Sequence, residues 1–161
     1  MPRHYEILDV ARRCARAGIA AALLLAAQPA HAQSVAILDG NQVSIDGSVY
    51  RLQGIDAPDP NQVCDDGYPA GKEAIGTLLG LMKGRRLVCE NQGRDPAGRT
   101  VALCRADGRD LGEQMVRAGM AWATPMKRDG YGDVQRDAEA EKLGVHDHPC
   151  VMPQAYRRNP R

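Results

Sequence analysis

Arg51-Leu52-Gln53-Gly54-Ile55-Asp56-Ala57-Pro58-Asp59 is the stretch on which the reading of this 161-residue chain turns. It opens as a strand, with Val49, Tyr50 and Leu52 ahead of the glycine. Gly54 lets the backbone bend or be closely approached. Pro58 holds Ala57 extended and closes the segment. One guanidinium, Arg51, and two carboxylates, Asp56 and Asp59, stand within this short span. A strand that ends at a bend can present such groups from a fixed scaffold. The plainer alternative is a strand followed by a polar turn.

Immediately upstream, two more strands are expected. Val35, Ala36, Ile37 and Leu38 form a short apolar run that stops at Asp39-Gly40-Asn41, a turn. Val43 and Ile45 alternate with polar residues, and Asp46-Gly47 signals a hairpin. Three strands in quick succession argue for an antiparallel meander.

Downstream, Pro69 suits the first turn of a helix. Ala74, Leu78 and Met82 share its face, beside Ile75 and Leu79, and Gly84 stops it. Arg85 to Glu90 and Thr100 to Arg105 read as the fourth and fifth strands, joined by the polar segment Asn91 to Arg99. Asp110 caps a second helix, with Glu113 placed for a capping box, and Gly119 ends it. Asp133 to Leu143 is a third, mostly charged helix. Five short strands and three helices predict an α+β fold. A small barrel is the natural closure, since it leaves few open edges.

The first 32 residues read as a leader. Arg12, Arg13 and Arg16 precede a largely apolar run, Gly18 to Ala27, too short to span a membrane. Ala30-His31-Ala32 is a small-x-small cleavage signal, so cutting before Gln33 is expected. The division is then a signal peptide over 1–32, a folded domain over 33–150 and an irregular basic tail over 151–161. Export places the protein in the periplasm or the medium, with no membrane attachment after cleavage.

Without the leader, the formal net charge falls from +1 to about −1. No large basic field announces nucleic acid, so local groups must handle any anionic substrate. Phenylalanine is absent, so aliphatic side chains must build the core and base-stacking platforms are scarce. Cys14 leaves with the leader, and Cys64, Cys89, Cys104 and Cys150 remain, an even number that predicts two disulfides. A hairpin centred near Pro96 sets Cys89 opposite Cys104, within bridging distance. Cys64 and Cys150 are then left to each other. His146, His148 and Cys150 could suggest zinc, but a fourth ligand is not evident and export favours a disulfide.

Arg51, Arg99, the Asp39-Gly40-Asn41 turn and the Asp56 to Asp59 bend are the groups suited to phosphate and metal. Acidic and amide oxygens suit a hard cation such as calcium. Two arginines can each grip a phosphate through two hydrogen bonds and hold the charge that develops on it. A further carboxylate can position or deprotonate water.

On these residues the chain resembles the thermonuclease, or staphylococcal-nuclease-like, family. The shared features are Asp-Gly-x-x-Val, Arg-Leu-x-Gly-Ile-Asp-Ala-Pro, the Asp-x-x-Gly-Arg loop from Asp95 to Arg99, and the Asp110 to Ala121 stretch. The resemblance implies a five-stranded OB-type barrel with three helices that cleaves DNA and RNA phosphodiester bonds using calcium. It makes Arg51 and Arg99 the phosphate-gripping arginines and Asp56 and the Ala57 carbonyl calcium ligands. It sets Asn41 where the family has a second calcium-binding aspartate, and Asp59 where it has the glutamate that handles the attacking water. Asn41 loses a negative charge relative to that pattern, and Asp59 is one methylene shorter. The resemblance implies a nucleic-acid partner, single strands favoured, and a monomer is expected. The rival reading is a catalytically degenerate module that binds nucleic acid, or serves as an envelope interaction domain, without cutting.

Overall fold

A computed structural model describes residues 33–125 and 130–159. The expected leader, residues 1–32, lies outside the described residues. Among the described residues no helix is long and apolar enough to cross a membrane.

The meander forms as the sequence predicts. β1 (Val35–Asp39), β2 (Gln42–Ile45) and β3 (Ser48–Leu52) pair antiparallel in succession. Asp46 and Gly47 join β2 to β3, both at positive φ, 51° and 80°. That two-residue turn follows the right-handed twist of the strands it joins. At Gly54 (φ 75°) the chain leaves the sheet. It then forms β4 (Ile55–Asp56), which makes a two-residue ladder with β8 (Trp122–Ala123).

The sheet is mixed rather than wholly antiparallel, because the hairpin of the second half joins the meander in parallel. β5 (Leu87–Arg94) pairs antiparallel with β6 (Thr100–Ala106), but β6 runs parallel to β3, with Arg51 opposite Val101. The strand order is β1-β2-β3-β6-β5, and β7 (Arg109–Asp110) also pairs with β6. The expected closed barrel is not formed by these ladders, since β1 and β5 stand at the two ends of the order. A side chain makes a link that strands do not: the Gln33 amide donates to Leu87 O (2.8 Å) and accepts from Leu87 N–H (3.0 Å).

Among the described residues there are four α-helices rather than three. α1 (Ala70–Met82) buries Ala74, Leu78 and Met82, the i, i+4, i+8 stripe, while Leu79 stays exposed. α2 (Leu111–Arg117) starts at Asp110, whose Oδ1 accepts from the N–H groups of Gly112 (2.9 Å) and Glu113 (3.4 Å). Glu113 turns to Arg117 instead of completing a capping box. α3 (Gly132–Ala140) buries Ala138 alone. The fourth, α4 (Pro153–Arg158), corrects the expectation of an irregular tail: Pro153 sits at the first turn, where its missing N–H costs nothing.

Val43, Leu52 and Ile55 pack with α1, α2 and the inward face of β6 into one aliphatic core. A satellite cluster joins Cys64, Ala70, Trp122 and Val145. Both expected disulfides are present. Cys89 and Cys104 are direct register partners, with Cα atoms 4.0 Å apart. Cys64–Cys150 closes a separation of 86 residues.

Candidate active site

The bend from Ile55 to Asp59 is braced from two sides. From β1–β2, the Asn41 side chain meets Ala57 twice: Oδ1 accepts its N–H (2.7 Å) and Nδ2 donates to its carbonyl (3.2 Å). Gly40 allows this approach, since a Cβ there would lie 2.8 Å from that of Ala57. From α1, Gly71 lies against the Asp59 and Pro60 carbonyls, where a Cβ would fall 2.0 Å from Asp59 O. Gln62, fully buried, offers Oε1 to the Asp59 N–H (3.3 Å) and donates from Nε2 to Val151 O (2.7 Å).

This bracing sets the carboxylates beside Arg51. Its side chain, 19% exposed, donates from Nη2 to Ile55 O (3.3 Å) and lies 3.6 Å from Asp56 Oδ1. Asp56 Oδ1 is buried and has no hydrogen-bond partner among the described residues. The other oxygen of Asp56 is taken by a residue the sequence reading did not place in the site. Arg157, on α4, donates from Nη2 to Asp56 Oδ2 (2.6 Å) and from Nη1 to Asp59 Oδ2 (3.0 Å). Burial works against the charge of Arg157, but its hydrogen bonds with Asp56 and Asp59 and their charges outweigh it, so its pKa lies above the ordinary arginine value. The only sequence signal was the basic pair Arg157-Arg158; nothing local tied it to residues a hundred positions earlier.

Arg51, Asp56, Asp59 and Arg157 thus form one connected set. Arg99 stands apart from it. Asp95 organises its loop by accepting from the N–H groups of Ala97 (3.0 Å) and Arg99 (2.9 Å), and its Oδ2 accepts from Arg99 Nε (2.7 Å). The parallel register, Arg51 opposite Val101, brings the start of β6 alongside β3, so Arg99 lies two residues before the partner of Arg51. Its side chain is 46% exposed and open to an incoming anion.

Two guanidinium groups lie against Asp56, yet its buried Oδ1 makes no hydrogen bond among the described residues, and a carboxylate oxygen is the kind of ligand a hard cation takes. Asp56 and the Ala57 carbonyl are oxygens such an ion could take; the carbonyl already accepts from Asn41 Nδ2 but keeps a second lone pair. Among the described residues no group of three or more His, Cys, Asp or Glu side chains is placed to hold a metal. The Asn41 amide oxygen is already engaged with the Ala57 N–H. The His146, His148 and Cys150 group is dispersed: Cys150 is bonded to Cys64, and His148 Nδ1 pairs with Asp66 Oδ2 (2.7 Å) while stacking on Tyr68. His146 lies edge-on to Trp122.

The sequence profile of the family described as "Staphylococcal nuclease homologue" matches residues 49–147, most of the folded region. The succinoglycan biosynthesis protein ExoI of Rhizobium meliloti (strain 1021) is 33% identical, over 83% of this chain and 78% of that protein. An uncharacterized endonuclease of Haemophilus influenzae is 29% identical, over 67% of this chain and 59% of its own length. A probable staphylococcal-like nuclease of Oryza sativa subsp. japonica is 39% identical over 45% of this chain, but only 20% of that protein is covered. With the Arg51–Asp56–Asp59 array and the Asp95–Arg99 loop inside or beside one mixed sheet, the chain belongs to the staphylococcal nuclease homologue family.

Proposed function

We propose that this protein is an exported nuclease that hydrolyses phosphodiester bonds of DNA or RNA with calcium. The observation that carries the reading is the buried Asp56 Oδ1, without a hydrogen bond among the described residues and 3.6 Å from Arg51 Nη2, with Asp59 on the same bend. Asp56 and the Ala57 carbonyl would hold calcium, with Asn41 contributing only its amide oxygen. Calcium, when bound, supplies positive charge beside the phosphate.

The chain's own groups do the rest. Arg51 keeps guanidinium N–H groups beyond the one spent on Ile55 O, and these can donate to a phosphate oxygen. Arg99 adds a second guanidinium from the loop that leads into β6. Both hold the charge that grows on the phosphate oxygens during attack. Asp59 orients a water and accepts its proton. Its short side chain places the carboxylate further from the phosphate than a glutamate would, which lowers the rate. Single strands are favoured as substrate, and the protein acts as a monomer. Two disulfides support export, since such bridges persist in oxidising compartments.

The test is hydrolysis of single-stranded DNA by the purified protein with calcium, with chelator, and by an Arg51→Ala variant. Cleavage that needs calcium and falls at least a hundredfold in the variant supports the reading. A second reading, binding without cleavage, is favoured by one observation: both carboxylates are engaged by Arg157. It gains if the protein retains single-stranded DNA at low salt and never cuts it.

A further inference from the structure

Arg157 lies beyond residues 49–147, the part of the chain matched to the family. Its guanidinium nevertheless reaches Oδ2 of both Asp56 and Asp59. Two carboxylates on one bend repel each other unless a cation stands between them. Here that cation is part of the chain.

Its position is not left to a loose tail. Cys150 is bonded to Cys64, Val151 O accepts from the buried Gln62, and Tyr156 Oη donates to Asn61 O (3.4 Å). Pro153 is buried at the start of α4. The disulfide and the two hydrogen bonds reach Cys64, Gln62 and Asn61, in the segment that follows Asp59. The strap therefore keeps a guanidinium at high effective concentration over the carboxylates. A divalent cation binds carboxylate oxygens directly. With Arg157 in place both Oδ2 atoms are engaged, and the buried Asp56 Oδ1, without a hydrogen bond among the described residues, faces Arg51 Nη2 at 3.6 Å.

We propose that Arg157 is an intramolecular cation that competes with a divalent metal ion for the Asp56 and Asp59 carboxylates, making α4 a brake on the site. The proposal rests on the preceding reading of those carboxylates as the calcium and water groups. Metal can bind fully only when Arg157 withdraws. Arg158, one residue on, bonds back to Gln154 O and takes no part.

Calcium binding is measured by calorimetry on the purified protein, independently of any cleavage. Arg157→Gln should bind calcium at least tenfold more tightly than the parent. Arg157→Lys, which keeps the charge but cannot donate in a fork to two carboxylates, should fall between them. Arg158→Gln removes the same charge next door and should stay within twofold of the parent. Circular dichroism confirms that each variant is folded, and Arg157→Lys carries the test if Arg157→Gln is not. An affinity unchanged or weakened in the folded variants, or no calcium bound by any of them, overturns the proposal. Tighter calcium binding without hydrolysis by any variant upholds the competition and defeats the nuclease reading instead.

Discussion

Asn41 and Ala57, sixteen residues apart, hold each other at two points, side-chain amide against backbone amide, with both partners buried. Asn41 is therefore a clamp on the bend that carries Asp56. Asn41→Ala should cost about 1–3 kcal/mol for each backbone group left unpaired, read as a loss in urea unfolding. Asn41→Asp keeps the acceptor but loses the donor and turns a carboxylate toward the Ala57 carbonyl. Its melting temperature should lie below the parent's in chelator, and calcium should raise it more than it raises the parent's.

Arg51 and Arg99 make a second prediction. Arg51 extends from β3 and Arg99 from the loop just before β6, and if both hold the phosphate as proposed, either change to alanine should cut turnover by about 10²–10³. Arg51→Lys should recover little, because an ammonium cannot reproduce the guanidinium fork. Hydrolysis of single-stranded DNA at saturating calcium measures this. An Arg99→Ala variant with full activity would remove Arg99 from the mechanism.

Gly71 and Gly76 lie in the same helix and should respond in opposite directions. A Cβ at Gly71 would meet the Asp59 and Pro60 carbonyls at 2.0 and 2.6 Å, and backbone cannot step aside cheaply. Gly71→Ala should destabilise by about 1–3 kcal/mol and lower activity by shifting Asp59. Nothing lies within 4 Å of a Cβ at Gly76. Gly76→Ala should stabilise by about 0.5–1 kcal/mol and leave activity unchanged. Thermal melts of both variants decide it.

The two disulfides close loops of different length, with separations of 15 and 86 residues. Chain-entropy arithmetic gives about 3 kcal/mol for the short loop and about 4.6 kcal/mol for the long one. Serine pairs at Cys89/Cys104 and at Cys64/Cys150 should lose stability in that order. Equal losses would mean that the long bridge constrains less of the unfolded chain than its span suggests.

His146 should make the fold sensitive to mild acid. Burial beside Trp122 depresses its pKa below the ordinary 6.5, against a smaller opposing effect of Glu139, and its Nε2 is buried without a hydrogen-bond partner. The unfolded chain therefore takes up its proton first as pH falls. Stability from this group is fully present above pH 6.5 and declines below it, down to the lowered folded value. His146→Gln should flatten the dependence of melting temperature on pH below 6.5. An unchanged slope would place the acid sensitivity elsewhere.

Much of the fold was legible because its signals are local. The Asp46-Gly47 turn, the Asp110 cap and the stripe Ala74, Leu78, Met82 each act within a few residues, and each is found where the sequence sets it. The Cys89–Cys104 pair followed from hairpin symmetry alone, even though β5 runs on to Arg94. Barrel closure was not legible. It depends on how the far ends of β1 and β5 meet, and there a Gln33 side chain stands in for a ladder.

The sequence by itself determined the order of the five longer strands and the first three helices, the cysteine pairs and the motif spacing of Arg51, Asp56, Asp59 and Arg99. Those depend on periodicity, turn chemistry and motif spacing, all written along the chain. Only the tertiary structure decided that Asn41 faces Ala57, that Gln62 ties the bend to Val151, and that Arg157 sits on the carboxylates. A long, flexible arginine could reach for any of the chain's 20 acidic side chains. Which of them it finds is set by the docking of α4 through Cys150, Pro153 and Gln62, and that docking leaves no periodic trace in the sequence.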